Sequence, residues 1–563
     1  YDYELLGIKQ SDQRYFYHIK VIPYSNIRPT FAGQILIDDS TYALTEVDLK
    51  FISRNFLPFT NLKLSVFQKL EQHKNYWLPK YYNIDVETTF NYYYLFSLDS
   101  AITSYIKVFN NYQINVDENS PLLKTINQLA DTSFKHEPEF VSLSKMDSIR
   151  LYPITINEQK AYTEIDSNKT ILSSLKLGGI GGKYVKESEQ ERIEKDTAGF
   201  NLFSVLEYLS FRNNRIDGIA LGLQYSNLNT TNLFGVSAET NYSFLRKDVN
   251  SMIEFKYYPK EIFFDNISFF GFYESKPAFV FSPYSNFMNA ISVSLGFEDQ
   301  FDYYLSKGVG LNFQKNLSDA TNIKFGFTFE NQNSLEAKKY YSIFNAKQFV
   351  RPNLVTGKGI DNRFIINFNS GTSPYDFQFL QQNGLVSQVD FSSKLFGSDF
   401  NYTKINAAYQ FYFDTFYDEL LFAPYLGIMI EGSAVLGNYN QQHLETPQTS
   451  LGIFAPFGTF KGLTPYQFIS DKRIALHIEH NWRKTFFDML GIYFPVEWNI
   501  ELTTGVSLLN LWNGKKLIDL QKSKEFYWES YAGISGIFGL LSINVVYNKF
   551  DDVVVRLGLT KVL

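Results

Sequence analysis

From about Ile216 to Leu563 the chain repeats one pattern, a run of apolar/polar alternation followed by a turn. Phe234, Val236, Ala238, Thr240, Tyr242 and Phe244 alternate with Gly235, Ser237, Glu239, Asn241 and Ser243. Ile323, Phe325, Phe327 and Phe329 alternate with Lys324, Gly326, Thr328 and Glu330. Successive strand side chains point to opposite faces, so each segment has one apolar and one polar face. Runs of roughly ten residues suit a tilted strand crossing the hydrocarbon core of a bilayer, whereas strands of a soluble sandwich are usually shorter. The pattern predicts an all-β fold, a transmembrane antiparallel β-barrel of about 16 strands.

Composition bears on the same choice. Aromatic residues make up 18% of the chain, with 54 Phe and 40 Tyr, which suits a lipid-facing band with interfacial girdles. Mean hydropathy is nevertheless only −0.19, as expected when every second barrel residue faces water. No apolar run approaches the roughly 18 residues of a membrane helix. The richest stretches, Leu420 to Ile430 and Ile534 to Val546, are shorter and interrupted by Gly or polar residues.

The chain has no Cys, which excludes disulfides and thiolate metal sites. A net charge of −6 gives no footprint for nucleic acid. The chain starts at Tyr1 and carries no signal peptide, so a mature or trimmed product is expected.

Residues 1–95 read as a separate β-rich domain, with a hairpin turning at Asp38-Asp39-Ser40-Thr41. Residues 96–213 are mixed and polar, helical in parts, and read as a linker region. Gly178-Gly179-Ile180-Gly181-Gly182-Lys183 is not a phosphate loop: the first Gly of that motif would fall at Leu177, and Tyr184 replaces the Ser/Thr. Glu187 to Asp196 is a charged, solvated stretch. Residues 214–563 form the barrel. An even strand number puts both chain ends on the periplasmic side. Long loops near 334–358, 435–471 and 513–525 then face outward. The connections near 276–287 and 371–382 fall on the periplasmic side and are not short.

Three stretches resemble a family of outer-membrane proteins in which a carboxypeptidase-regulatory-like domain precedes a domain of unknown function and a barrel. The first is Tyr1-Asp2-Tyr3-Glu4-Leu5-Leu6-Gly7, with Tyr17 to Pro23, Phe31 to Asp38 and Trp77-Leu78-Pro79. It also looks like the half-barrel sheet of lipoprotein carriers such as LolA. The second is Arg150-Leu151-Tyr152-Pro153-Ile154-Thr155, with Glu158, Tyr162, Asp166 and Ser167. The third is Phe460-Lys461-Gly462-Leu463, then Phe468 to Arg473, then the strand Ile474 to Asn481. This stretch is similar to loop six and the following strand of the BamA/TamA superfamily. There a loop tip tucks into the lumen and pairs with acidic residues on the wall. Lys461 stands where that superfamily has Arg, and Leu463 where it has an aromatic. Lys cannot make the bidentate fork of Arg to a carboxylate.

The resemblance implies a loop-six lumen motif at Phe460, Lys461, Gly462 and Leu463, with Asp471, Arg473 and Glu479 as wall partners. His477 and Glu479 share a strand face and His480 points the other way, so no metal site is expected. Glu479 is expected to pair with Lys461 or Arg473. The last strand is expected to form a seam, with Val553, Val555, Leu557 and Leu559 facing lipid and Arg556 and Gly558 facing inward. The glycine-rich run Gly533 to Gly539 reads as a tight turn or a weak point near that seam. No nucleophile elbow and no Ser/His/Asp order stand out. The expected protein is therefore non-enzymatic and without cofactor. It would lie in the outer membrane of a Gram-negative bacterium with its N-terminal domain in the periplasm. Its expected partners are outer-membrane lipids and other outer-membrane proteins or lipoproteins of an assembly complex. Accessory-barrel and lipid- or solute-transporter roles are the alternatives.

Overall fold

The computed structural model describes residues 1–109, 112, 114, 177–178 and 208–563, apart from 12, 25–29, 53–58, 93–95, 229–232, 261, 279–280, 345–350, 356, 377–381, 417–422, 493–499, 513–525, 538–540, 551 and 560–563. The stretches Arg150–Thr155 and Glu187–Asp196 lie outside the described residues. The chain divides into two compact units, Tyr1–Gly199 and Phe200–Leu563.

The first unit is an antiparallel sheet of β1 (Asp2–Ser11), β2 (Arg14–Ile22), β3 (Thr30–Asp38), β4 (Leu44–Ile52), β5 (Phe59–His73), β6 (Tyr76–Tyr92), β7 (Phe96–Val108) and the short β8 (Leu177–Gly178), in chain order. Register puts Val21, Gly33, Leu49, Val66 and Ile84 on one face and Lys20, Gln34, Lys50, Ser65 and Asp85 on the other. The β3–β4 turn follows from its sequence. The Asp38 carboxylate accepts from Ser40 Oγ at 2.6 Å, Thr41 N at 2.9 Å and Thr41 Oγ1 at 2.6 Å, and Tyr42 takes φ 55°. Burial raises the Asp38 carboxyl, but these hydrogen bonds outweigh it and hold the group below its ordinary value. Strand β7 pairs with β6 along its length, so the sheet runs on past residue 95, where the sequence suggests a linker.

The second unit is a larger antiparallel sheet. Its strands are β9 (Leu209–Asn214), β10 (Gly218–Asn227), β11 (Phe234–Ser243), β12 (Asp248–Tyr257), β13 (Asn266–Pro277), β14 (Tyr303–Ser318), β15 (Thr321–Ser334), β16 (Gly359–Ile360) and β17 (Arg363–Gly371). They continue with β18 (Gly384–Ser392), β19 (Asn401–Asp414), β20 (Tyr425–Asn438), β21 (Lys472–Arg483), β22 (Glu501–Trp512), β23 (Tyr527–Ile537), β24 (Leu541–Asn548) and β25 (Val553–Leu559). Each pairs with the next in sequence, except that β17 pairs with β15 beside the short β16. The glycine-rich run is not a turn at its start: it lies within β23, with a bulge between Ile534 and Ile537.

Register gives this sheet the reverse of a water-soluble face pattern. Across β14 and β15, Val309 opposes Phe329 and Gly308 opposes Glu330. Phe329 is 51% exposed and Glu330 2%. The same holds at β25, where Val553, Val555 and Leu557 are 66%, 60% and 65% exposed while Gly558 is buried. In water, large apolar side chains go inside and charges stay out. Here the apolar face is open and the charged face is covered.

The sequence places the start of this sheet at residue 214, but β9 precedes it. Its outward row reads Leu209, Phe211, Asn213, and the polar Asn213 breaks the alternation. The segment after Pro277 holds a helix, α1 (Asn286–Ser294), capped by Ser285 Oγ accepting from Met288 N at 3.1 Å. The chain thus reaches β14 through one connection, 278–302. Antiparallel order brings this connection to the same end of the sheet as 335–362 and 439–471, not the opposite end that the sequence suggests. Arg215 of the β9–β10 turn is buried at that end and pairs with Asp302, and Arg351 pairs with Asp302 at 2.8 Å.

Candidate functional site

The covered face is filled by the 439–471 connection, which folds back between β20 and β21. Gly437 starts the return with φ 107°, a value that favours glycine. Asn440 Oδ1 accepts from Gln441 N at 2.8 Å and from Gly357 N at 2.8 Å, tying the first turn to a neighbouring connection. Backbone bonds brace the segment internally. Glu445 and Ser470 exchange N–H···O bonds at 2.9 Å, and Phe460 N donates to Gln448 O at 2.8 Å.

Charged pairs then fix the segment to the strands. Lys404 of β19 meets Glu445 at 2.5 Å. His443 lies 3.2 Å from Asp361, whose carboxylate also accepts from Arg363 at 2.9 Å and Tyr402 OH at 2.9 Å. Arg473 of β21 forks onto Glu431 of β20 and reaches Glu445 of the segment at 4.0 Å. Gln442 donates to Gln332. All these groups are buried, so each pair stands largely without water. Breaking such a pair costs more than forming it yields.

Residues 442–451 are buried without a break, and the 460–463 tip sits on an apolar cluster of its own. Phe460 is fully buried among Leu463, Phe468, Ala475, Leu509, Leu511 and Tyr527. Glu529 of β23 accepts the backbone N–H of Lys461 at 2.7 Å and of Gly462 at 2.8 Å, and Tyr527 OH donates to it at 2.9 Å. From β25, Arg556 Nε donates to Lys461 O at 2.8 Å and its Nη2 to Leu463 O at 3.4 Å. The Lys461 ammonium lies 3.8 Å from Glu479 and 3.9 Å from the centre of the Tyr531 ring. Tyr531 OH donates to Glu479 at 2.7 Å. A Cβ on Gly505 would fall 2.4 Å from the Tyr531 ring, so glycine there lets the ring lie against the wall under the ammonium.

The residues singled out from the sequence divide as follows. Phe460 to Leu463 come together with Glu479 and with Arg556 of the last strand. Arg473 takes Glu431 rather than Glu479 because the two face inward on adjacent strands. Asp471 sits buried at the foot of β21, and its carbonyl accepts from Val435 N at 2.8 Å. His477 faces in, bonded to Ser507 at 2.9 Å, while His480 faces out beside Trp482. Val553, Val555 and Leu557 face out; the side chain of Leu559 lies outside the described residues. Sequence reading missed Glu529, Tyr531, Glu431 and the Lys404–Glu445 pair. Their signal is only that of inward-facing charge, shared by many positions.

Residues 1–112 match a family described as "Family of unknown function (DUF5686)". No curated protein matches. Among solved structures, the chain is similar to BamA from Haemophilus ducreyi lacking POTRA domains 1–3, at 11% identity and TM-score 0.35, over 71% of this chain and 80% of that one. It is also similar to OccK11 (OpdR) of Pseudomonas aeruginosa, at 8% identity and TM-score 0.24, over 62% and 89%. OccK10 (OpdN) of the same organism follows, at 10% identity and TM-score 0.23, over 60% and 91%.

Proposed function

We propose that the second unit is a closed β-barrel of about 16 strands spanning a Gram-negative outer membrane. The strand order, which brings β25 beside β9, supports closure. The exposed apolar face supports a lipid surround, since in water so broad a face would be a liability. On this reading the 439–471 segment is a plug in the lumen, and residues 1–112 lie on the periplasmic side.

We further propose that the barrel is non-enzymatic and serves the assembly or translocation of other outer-membrane proteins, as a subunit of a larger complex. One observation carries this reading: the plug tip is held by Arg556 on the last strand as well as by Glu479 and Glu529 on the wall. The tip therefore couples the filling of the lumen to the position of the strand at the seam. A strand edge freed there presents unpaired N–H and C=O groups that template an incoming strand.

The test is site-specific photocrosslinking in outer membranes, with the probe at Val555 or Leu557. Capture of unfolded barrel proteins, increased by Arg556→Ala, is the expected result. Capture of nothing, together with unchanged client folding in Arg556→Ala and Lys461→Glu, would sink the assembly role. An accessory barrel without insertase activity is the second reading, favoured by the extent of the plug. A lipid or solute transporter would instead need the plug to move, and single-channel conductance would reveal that.

A further inference from the structure

Outside the plug site, one feature of the open face stands apart. Two rows of outward residues cross β10 to β14 at adjacent levels. One reads Leu223, Thr240, Ser251, Tyr273, Lys307; the other reads Tyr225, Ala238, Ile253, Gly271, Val309. Most of the open face carries large side chains. Here Thr240 and Ser251 in one row and Ala238 and Gly271 in the other are small, and around Ile253 they leave a groove of about 590 Å³, within the roughly 300–1,000 Å³ typical of ligand sites.

The groove's chemistry narrows its occupant. The Thr240 and Ser251 hydroxyls bond each other at 2.8 Å, so they offer little to a polar ligand. Tyr273 OH donates to Asp248 at 2.7 Å and is likewise engaged. The cleft itself is therefore suited to hydrocarbon. One strand beyond the last lining residue of the first row, Tyr273, stands Lys307, which is exposed and has no ion pair among the described residues. No carboxylate stands in either row. A lone outward Lys on a lipid-facing wall is stable when its stem lies along apolar surface and its ammonium reaches headgroup phosphate.

We propose that this groove seats one acyl chain of an anionic phospholipid-type molecule, with its phosphate held by Lys307. The proposal rests on the membrane-spanning reading above. A bound lipid here would lie against β10 to β13 and stiffen the first hairpins of the sheet.

The full chain is inserted into vesicles of phosphatidylcholine and phosphatidylglycerol, floated, extracted in mild detergent and weighed by native mass spectrometry. The expected spectrum shows one retained phosphatidylglycerol. Ala238→Trp and Ser251→Phe, which fill the groove, lose that adduct while keeping the heat-modifiable mobility of a folded barrel. Lys307→Gln keeps a lipid adduct but loses the preference for phosphatidylglycerol. Val309→Trp, at the rim, retains wild-type binding. If wild type floats with vesicles but carries no lipid, or if folded Ala238→Trp or Ser251→Phe carries the same adduct, the groove assignment is wrong and the membrane reading stands. If wild type does not float, the membrane reading itself fails.

Discussion

Arg556 Nε donates to the carbonyl oxygen of Lys461 at 2.8 Å, joining the last strand of the sheet to the tip of a segment that lies 95 residues earlier in the chain. The bond is to backbone, so it does not depend on which side chain stands at 461. The Lys461 side chain adds a separate tie, to Glu479 and Tyr531. The tip is thus held twice, once through its peptide groups and once through its charge.

Arg556→Ala removes the peptide clamp from β25. A hydrogen bond from a charged donor contributes about 1.5–3 kcal/mol, so the tip and β25 should both exchange amide hydrogen faster by that measure. Arg556→Lys should recover part of the protection, because a single ammonium nitrogen replaces the two guanidinium nitrogens that had reached two carbonyls. Hydrogen exchange on peptides covering 455–465 and 553–559 reads both ends of the bond.

Glu529→Ala leaves the buried N–H of Lys461 and the half-buried N–H of Gly462 without their acceptor. At about 1–3 kcal/mol for each unsatisfied donor, this should be the most destabilising single change in the tip. Glu529→Gln keeps one acceptor oxygen and should cost less. Loss of heat-modifiable mobility with temperature ranks the two. Equal behaviour of Gln and Ala would show that the tip does not use these bonds.

Gly505→Val adds a Cβ where the Tyr531 ring lies. Overpacking of this kind costs about 1–3 kcal/mol, and here it also lifts Tyr531 from under Lys461. Trypsin cleavage after Lys461 should rise with Gly505→Val but not with Gly432→Ala, whose Cβ meets only a carbonyl at 3.5 Å.

In the first unit, Asp38 has a lowered pKa, so the folded state binds its proton less readily than the unfolded state. Its stabilising contribution is complete above the unfolded value of about 3.9 and is lost as pH falls through the folded value below it. Asp38→Asn should remove that acid-dependent part. Exchange of the Thr41 and Tyr42 amides across pH 2–5, corrected for intrinsic rates, shows a wild-type transition that the variant lacks.

The strands were legible wherever inward and outward residues differed in polarity, as along Ile323 to Glu330. Two elements escaped for physical reasons. Outward Asn213 of β9 is covered by α1 and the 341 backbone, with bonds to Ser294 and Tyr341 O, so the strand loses its apolar row. In α1, Ile291 and Val293 sit at a spacing that reads as a strand, and only the cap at Ser285 and tertiary contacts made it a helix. In the site, the 460–463 tip and Glu479 were legible through resemblance. Glu529 was not, because one inward carboxylate looks like another until the fold brings the tip beside it.

Whether the open face of the sheet lies in lipid is read most directly along β15. The chain has no Cys, so single cysteines along β15 can carry nitroxide labels without background. Collision rates with oxygen and with a water-soluble nickel chelate are then measured in native outer membranes. Labels at Ile323, Phe325, Phe327 and Phe329 should meet oxygen and be hidden from nickel, while Lys324 and Thr328 should not show that lipid signature. Nickel reaching the Phe positions as readily as Asp319 in the adjoining turn would contradict a membrane-spanning barrel.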